Sequence, residues 1–254
     1  MGGVLLLMTE ITKLITPIKI YGQNFITRRC GFTGDVQNQA ALYDNASDTA
    51  ATFYNADTSQ PKIWHVAFKD KYASVTSREI DTVILENCTA DAVEISYLNT
   101  SGETVSLGLF ELSGNNILKI PVFTAQEITF AFTCARNYFE VGEIRCVKYL
   151  FDLKATSETS VVPNTQGGEY TAQDGSFYSW TDYHRPGLEI RVKNGNYAQY
   201  KTLRSLVQNN EPVTLIPFAE LDFWVLEAVI DRDLNPDVNR FSGLVDYTLK
   251  AVSK

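Results

Sequence analysis

Two histidines, His65 and His184, are the chain's whole supply of side chains that ordinarily titrate near neutral pH. A hydrolase triad needs a nucleophile, a base within hydrogen-bond reach and an acid to orient that base. His65 sits beside Trp64 in the run Ile63–Phe68, where a strand would carry it to a sheet surface. His184 sits in the polar-aromatic segment Trp180-Thr-Asp-Tyr-His-Arg-Pro186, which reads as a loop or interface. No GxSxG, HExxH or glycine-rich phosphate loop accompanies either residue, and the Gly167-Gly168 pair alone cannot cradle a phosphate. With 30 Asp and Glu, carboxylate pairs arise by chance, so none is singled out for glycoside cleavage. The four cysteines, at 30, 88, 134 and 146, form no CxxC and have too few histidines for a zinc site. The expectation is a chain that is not an enzyme, holds no metal or cofactor, and keeps its thiols reduced.

Binding chemistry is better motivated. Sugar sites stack a ring on an aromatic side chain and hold hydroxyls with Asn, Asp or Arg. The loops Asn24–Arg29 and Asn137–Phe139 offer Arg28, Arg136 and Tyr138 for glycan contact at one end of a sandwich; contact with a neighbouring subunit is the alternative. Trp180, Tyr183, Phe223 and Trp224 read as interface anchors, or equally as core.

The elements that must carry these residues are short strands. Ile63–Phe68, Thr82–Leu85, Ala92–Leu98, Thr104–Leu109, Ile117–Val122, Glu127–Phe132 and Glu143–Tyr149 are separated by Asn, Asp, Gly and Ser clusters. In Ile128-Thr-Phe-Ala-Phe-Thr-Cys134 the even positions are apolar, the period of a half-buried strand. Residues 154–176 turn rich in Ser, Thr, Gly and Gln, which puts a boundary near 153 followed by a strand or an exposed loop. Tyr197–Gln208 is the one segment with helical spacing, with Asn196 placed to cap it and Glu211-Pro212 to end it. Strands are expected again at Leu188–Val192, Val213–Phe218, Phe223–Ile230 and Leu244–Ala251. The fold class is therefore all-β: an antiparallel sandwich with an N-terminal arm over 1–153, and over 154–254 a β domain with one short helix.

Composition narrows the partners. A formal charge of -8 argues against a nucleic-acid ligand, since gripping phosphates needs an excess of Lys and Arg. Val4–Met8 is too short an apolar run for a signal-peptide core or a membrane span. Thirteen Tyr, fourteen Phe and three Trp suit both pleated surfaces and assembly interfaces.

Over about 20–150 the order of features resembles the discoidin-like, galactose-binding-like family. Ala41-Leu-Tyr-Asp-Asn-Ala-Ser-Asp-Thr49 is similar to that family's first turn, and Ile63-Trp-His-Val-Ala-Phe68 to the strand after it. Asp81–Asn87, Ala92–Leu98 and Phe139–Arg145 are similar to later strands, the last one closing the domain. The resemblance implies a jelly-roll sandwich with a possible sugar site. It also implies a calcium-holding turn for which Asp44, Asn45, Asp48 and Thr49 would be the oxygen donors; the alternative is that these residues simply make the turn. Phe53 departs from the family, which has Trp there.

Over about 180–254 the chain is similar to distal-tail and tail-tip assembly proteins of phages. The motifs are Leu203-Arg-Ser-Leu206, Glu211-Pro-Val-Thr-Leu-Ile-Pro217, Phe223–Ile230 and Asp246–Val252. Taken together, the two resemblances imply a virion tail component made in the host cytoplasm. It would assemble as a ring or hub subunit with copies of itself and with neighbouring tail proteins. The alternative function is a carbohydrate-binding module that recognises surface glycan.

Overall fold

A computed structural model describes residues 17–44, 49–154, 159–171, 177–217, 225–231, 234, 236–239 and 242–253, by backbone alone at 162–171 and 177–186. The chain folds as two compact units, one running from Gln23 to Tyr149 and the other made from the segments on either side of it. Strand β1 (Ile18–Tyr21) begins the outer unit. The inner unit then supplies β2 (Gly31–Thr33), β3 (Ala51–Tyr54), β4 (Lys62–Ala67), β5 (Arg78–Cys88) and β6 (Ala92–Leu98). It continues with β7 (Thr104–Glu111), β8 (Gly114–Ala125), β9 (Glu127–Thr133), β10 (Tyr138–Val141) and β11 (Glu143–Val147). Back in the outer unit come β12 (Tyr149–Leu153), β13 (Ser160–Thr171), β14 (Phe177–Asn196), helix α1 (Tyr197–Asn209), β15 (Val213–Ile216), β16 (Leu226–Ile230), β17 (Asp237–Val238) and β18 (Leu244–Ser253).

The inner unit is an antiparallel β-sandwich. A five-stranded sheet in the order β2-β4-β9-β6-β7 supplies Trp64, Phe130 and Phe132 to one core, and β5, β3 and β10 supply Ile80, Val83, Phe53 and Phe139. Period-two alternation explains the split: Ile128, Phe130 and Phe132 are buried, and the residues between them are half-exposed. The other layer holds β11-β5-β8 and the pair β10-β3. There β11 is buried at all five positions, charges included. The Arg145 guanidinium pairs with the carboxylates of Glu86 and Glu143, its Nη2 donating to Glu143 Oε2 at 2.8 Å, and all three side chains lie within the sandwich.

The strand registers give this sandwich two distinct ends. Gly31 of β2 opposes Ala67, and Ala67 opposes Glu127, so the loop 24–30, the turn 69–76 and the start of β5 share one end. Lys62 opposes Phe132 and Ala92 opposes Thr133, so the loop 55–61, Thr89–Asp91 and the turn 134–137 share the other. The chain enters and leaves the unit at the first end, where the Phe25 N–H donates to the Cys146 carbonyl at 3.0 Å.

The outer unit is one sheet in the order β12-β1-β15-β16-β18-β14-β13, with β17 attached to β18. Its apolar face gathers Ile18, Ile20, Leu188, Ile190, Val213, Leu215, Leu226, Val245 and Leu249, and α1 covers part of it with Tyr200, Leu203 and Val207. The helix starts where the sequence places its cap, with Asn196 Oδ1 accepting from the Ala198 N–H at 2.7 Å. At its far end Asn210, at φ 54°, turns the chain out in the left-handed region.

The contiguous division at 153 differs from this arrangement in two strands, β1 and β12, which both belong to the outer sheet. β1 lies between β12 and β15, so the segment expected as an arm of the sandwich is an interior strand of the other unit. Residues 160–171, expected as a strand or a loop, form β13, which pairs with β14 along its whole length.

Candidate functional site

The outward face of the β3–β10 pair carries the most distinctive side chains of the sandwich. Phe53 and Phe139 oppose each other and stack inside, centroids 4.8 Å apart. Alternation therefore turns their neighbours out: Tyr54 opposes Tyr138, and each is 53% exposed. Residues directly opposed on one face of an antiparallel pair have their Cβ atoms roughly 5 Å apart, so the two side chains leave the sheet as neighbours.

Short hydrogen bonds hold the surroundings. The Asn55 N–H donates to the Asn137 carbonyl at 2.7 Å, and buried Asn55 donates through Nδ2 to the Gln60 carbonyl, which closes the 55–60 loop. In that loop Ser59 donates to Asp57 from its hydroxyl at 2.6 Å and from its N–H at 3.0 Å. Those bonds, the hydroxyl's first, hold the exposed Asp57 carboxyl below its ordinary value. On the other side of β10, the Thr89 N–H donates to the Glu140 carbonyl at 2.8 Å and Thr89 Oγ1 accepts the Glu140 N–H at 2.8 Å. Arg136 donates from its guanidinium to the Thr89 carbonyl, and Asp91 accepts the Ala135 N–H at 2.7 Å. The guanidinium is thus anchored on the same end as the tyrosine pair.

Chemically this surface offers two exposed aromatic side chains with Arg136, amide-bearing loops and carboxylates around them. His65 lies elsewhere, on the outer face of β4, with Nδ1 2.8 Å from Thr129 Oγ1. His184 falls in β14 opposite Thr165. The other unit holds a cleft of about 480 Å³ lined in part by Lys154, Lys193, Asn196 and Tyr197.

The three residues expected to contact a glycan together are not together. Arg136 and Tyr138 share the end just described, whereas Arg28 lies in the 24–30 loop at the opposite end, because β9 runs the full height of the sandwich between them. Tyr54 takes Arg28's place beside them. The sequence holds its signal, since Tyr54 follows buried Phe53 in strand alternation and precedes a polar loop. Among the expected anchors, Trp180 opposes Gly168 and Tyr183 opposes Gln166 in the β13–β14 ribbon, while Phe223 and Trp224 lie outside the described residues. Of the calcium-turn residues, Asn45 and Asp48 also lie outside, and Thr49 donates its hydroxyl to the Asp44 carboxylate at 3.0 Å. Among the described residues no group of three or more His, Cys, Asp or Glu is placed to hold a metal ion, and no helix is long and apolar enough to cross a membrane.

No protein-family model matches the chain, and no curated protein matches it. Among solved structures the chain is similar to SpGH29, with a TM-score of 0.42 and 13% identity over 51% of this chain and 28% of that one. It is similar to chitosan-binding module 1 of a chitosanase/glucanase from Paenibacillus sp. IK-5, with a TM-score of 0.41 and 14% identity over 50% of this chain and 98% of the module. It is likewise similar to the family 32 carbohydrate-binding module of C. perfringens NanJ, solved with galactose, at a TM-score of 0.40 and 10% identity over 51% and 99%. Likeness of this size assigns neither ligand nor partner to the chain. It adds no support to the tail-protein resemblance over 180–254.

Proposed function

We propose that the chain is a non-catalytic binding protein whose inner sandwich holds carbohydrate on the Tyr54–Tyr138 pair. The observation that carries this reading is the pair itself: two half-exposed phenols, opposed in register, at the end of the sandwich away from both chain crossings. Sugar rings have apolar faces that stack on such aromatics, and Arg136 with the Asn55–Gln60 loop supplies donors and acceptors for hydroxyls. The test is a glycan array on the full chain, followed by calorimetry on the best neutral oligosaccharide. Tyr138→Ala and Tyr54→Ala should each weaken binding by about tenfold, which is ~1.4 kcal/mol. Absence of any glycan ligand, or unchanged affinity in the double variant, contradicts the assignment.

A second reading, a subunit of a larger assembly such as a phage-like tail, is favoured by a different observation. β18 pairs with β14 only from Gly187 onward, so Phe177–Pro186 and the facing part of β13 form a ribbon bonded to no other described strand. Two-stranded ribbons are marginal in water, and a neighbouring chain would supply the surface this one lacks. The two readings are compatible, because they use different units.

A further inference from the structure

The crossing end of the sandwich gathers cations that lie apart in sequence. Arg28 and Arg29 come from the 24–30 loop, Lys69 and Lys71 from the turn after β4, and Arg78 from the start of β5. Two contacts tie these segments together: Lys69 Nζ lies 3.2 Å from where a Cβ on Gly31 would stand, and the Arg78 guanidinium lies 5.5 Å over the Phe25 ring. None of the five makes an ion pair among the described residues.

Three of the acids at this end, among them Asp70 in its own turn, already have partners. Asp70 accepts the Tyr72 and Ser74 N–H groups within its own turn, Glu79 pairs with Lys148, and Asp81 accepts from Thr82 Oγ1 and the Tyr149 N–H. In a protein of net charge -8, five cations without an ion-pair partner among the described residues concentrate positive charge at one end of the sandwich. Beside them Tyr72 is 75% exposed, with Lys71 Nζ 5.0 Å from its ring centroid.

We propose that this end is a second binding surface, for an acidic polysaccharide carrying carboxylate or sulfate groups. Guanidinium and ammonium groups on two loops suit repeated anions along a polymer, and an exposed phenol among them offers a sugar ring a stacking face. The surface is independent of the Tyr54–Tyr138 pair, which lies at the other end and is flanked by Asp57, Asp91 and Glu140.

The test is affinity electrophoresis of the full chain through gels containing polygalacturonate, dextran sulfate, neutral dextran or single-stranded DNA. Expected is retardation by at least one acidic polysaccharide and none by neutral dextran at about 50 mM salt, falling about tenfold by ~300 mM as screening grows. R28E/K71E should lower that affinity by about tenfold, Y72A by a smaller factor, and Y54A/Y138A not at all. Both charge-reversed side chains are exposed, and R28Q/K71Q, which adds no acid, provides a second variant should the first melt early. Three results would each overturn the proposal: no retardation by either acidic polysaccharide, equal retardation of the R28Q/K71Q variant, or tighter binding to the DNA.

Discussion

At the residue scale the most consequential side chain is Arg145, held between Glu86 and Glu143 with under a tenth of any of the three exposed. Stranding two carboxylates in a sandwich interior is far more expensive than losing one ion pair. Arg145→Met should therefore destabilise the inner unit by about 3–5 kcal/mol at neutral pH. The deficit should shrink as pH falls toward 5, because buried carboxylates without a cation are held more cheaply as neutral acids. The folded variant would then bind more protons than the unfolded chain, so its stability declines as pH rises. Denaturant melts at pH 5 and pH 7 would show this; an equal deficit at both would mean the guanidinium acts by packing alone. The same triad shows where residue-level reading stopped short. A strand was legible at Thr82–Leu85, but β5 runs from Arg78 to Cys88. A charged Glu86 reads as a strand end until β11 is known to be its neighbour, with Glu143 opposite it and Arg145 two residues along. The basic end was hidden for the same reason: it depends on which strands become neighbours. Burial also raises the thiol of Cys88 to about 11, keeping it protonated at neutral pH.

At the scale of elements, local signals carried well. The helix over 197–208 and its Asn196 cap are found one residue from the expected end, because capping chemistry and a 3.6-residue period are both short-range. β9 alternates as its sequence does. The outer part of the β13–β14 ribbon was less legible, since Ser, Thr, Gly and Gln suit loops as well as edge strands. Replacing 163–186 with an Asn-Gly turn between Val162 and Gly187 should leave the 187–196 pairing with β18 intact, as a two-residue hairpin fits that register. Under the assembly reading, light scattering should find oligomers of the full chain that this shortened chain no longer forms. Monomers in both samples would remove the ribbon's assigned role.

At the scale of the whole molecule, the sequence suggested two domains laid end to end, and the fold interrupts one with the other. A Ser- and Gly-rich stretch is easy to see; the allegiance of β1 is not, because its partner β15 comes nearly 200 residues later. Two fragments test the difference. Residues 23–149, whose ends are bridged by Phe25 and Cys146, should give a cooperative melt on their own. Residues 154–254 should not, since they lack both β12 and β1 and leave β15 as an open edge. Calorimetry on each fragment decides, and a sharp transition from 154–254 would show that β1 is dispensable.

The interruption also determines how the protein would bear a load. Tension applied beyond Ile18 and Ser253 is borne first by strands of the outer sheet, because the chain to either side of the sandwich is stitched into it. Until β1 is torn from β15, no pull reaches the sandwich along the backbone. Under stretching the two units should rupture in a fixed sequence, outer sheet before sandwich, and a ligand held on the inner unit would ride outside the line of force.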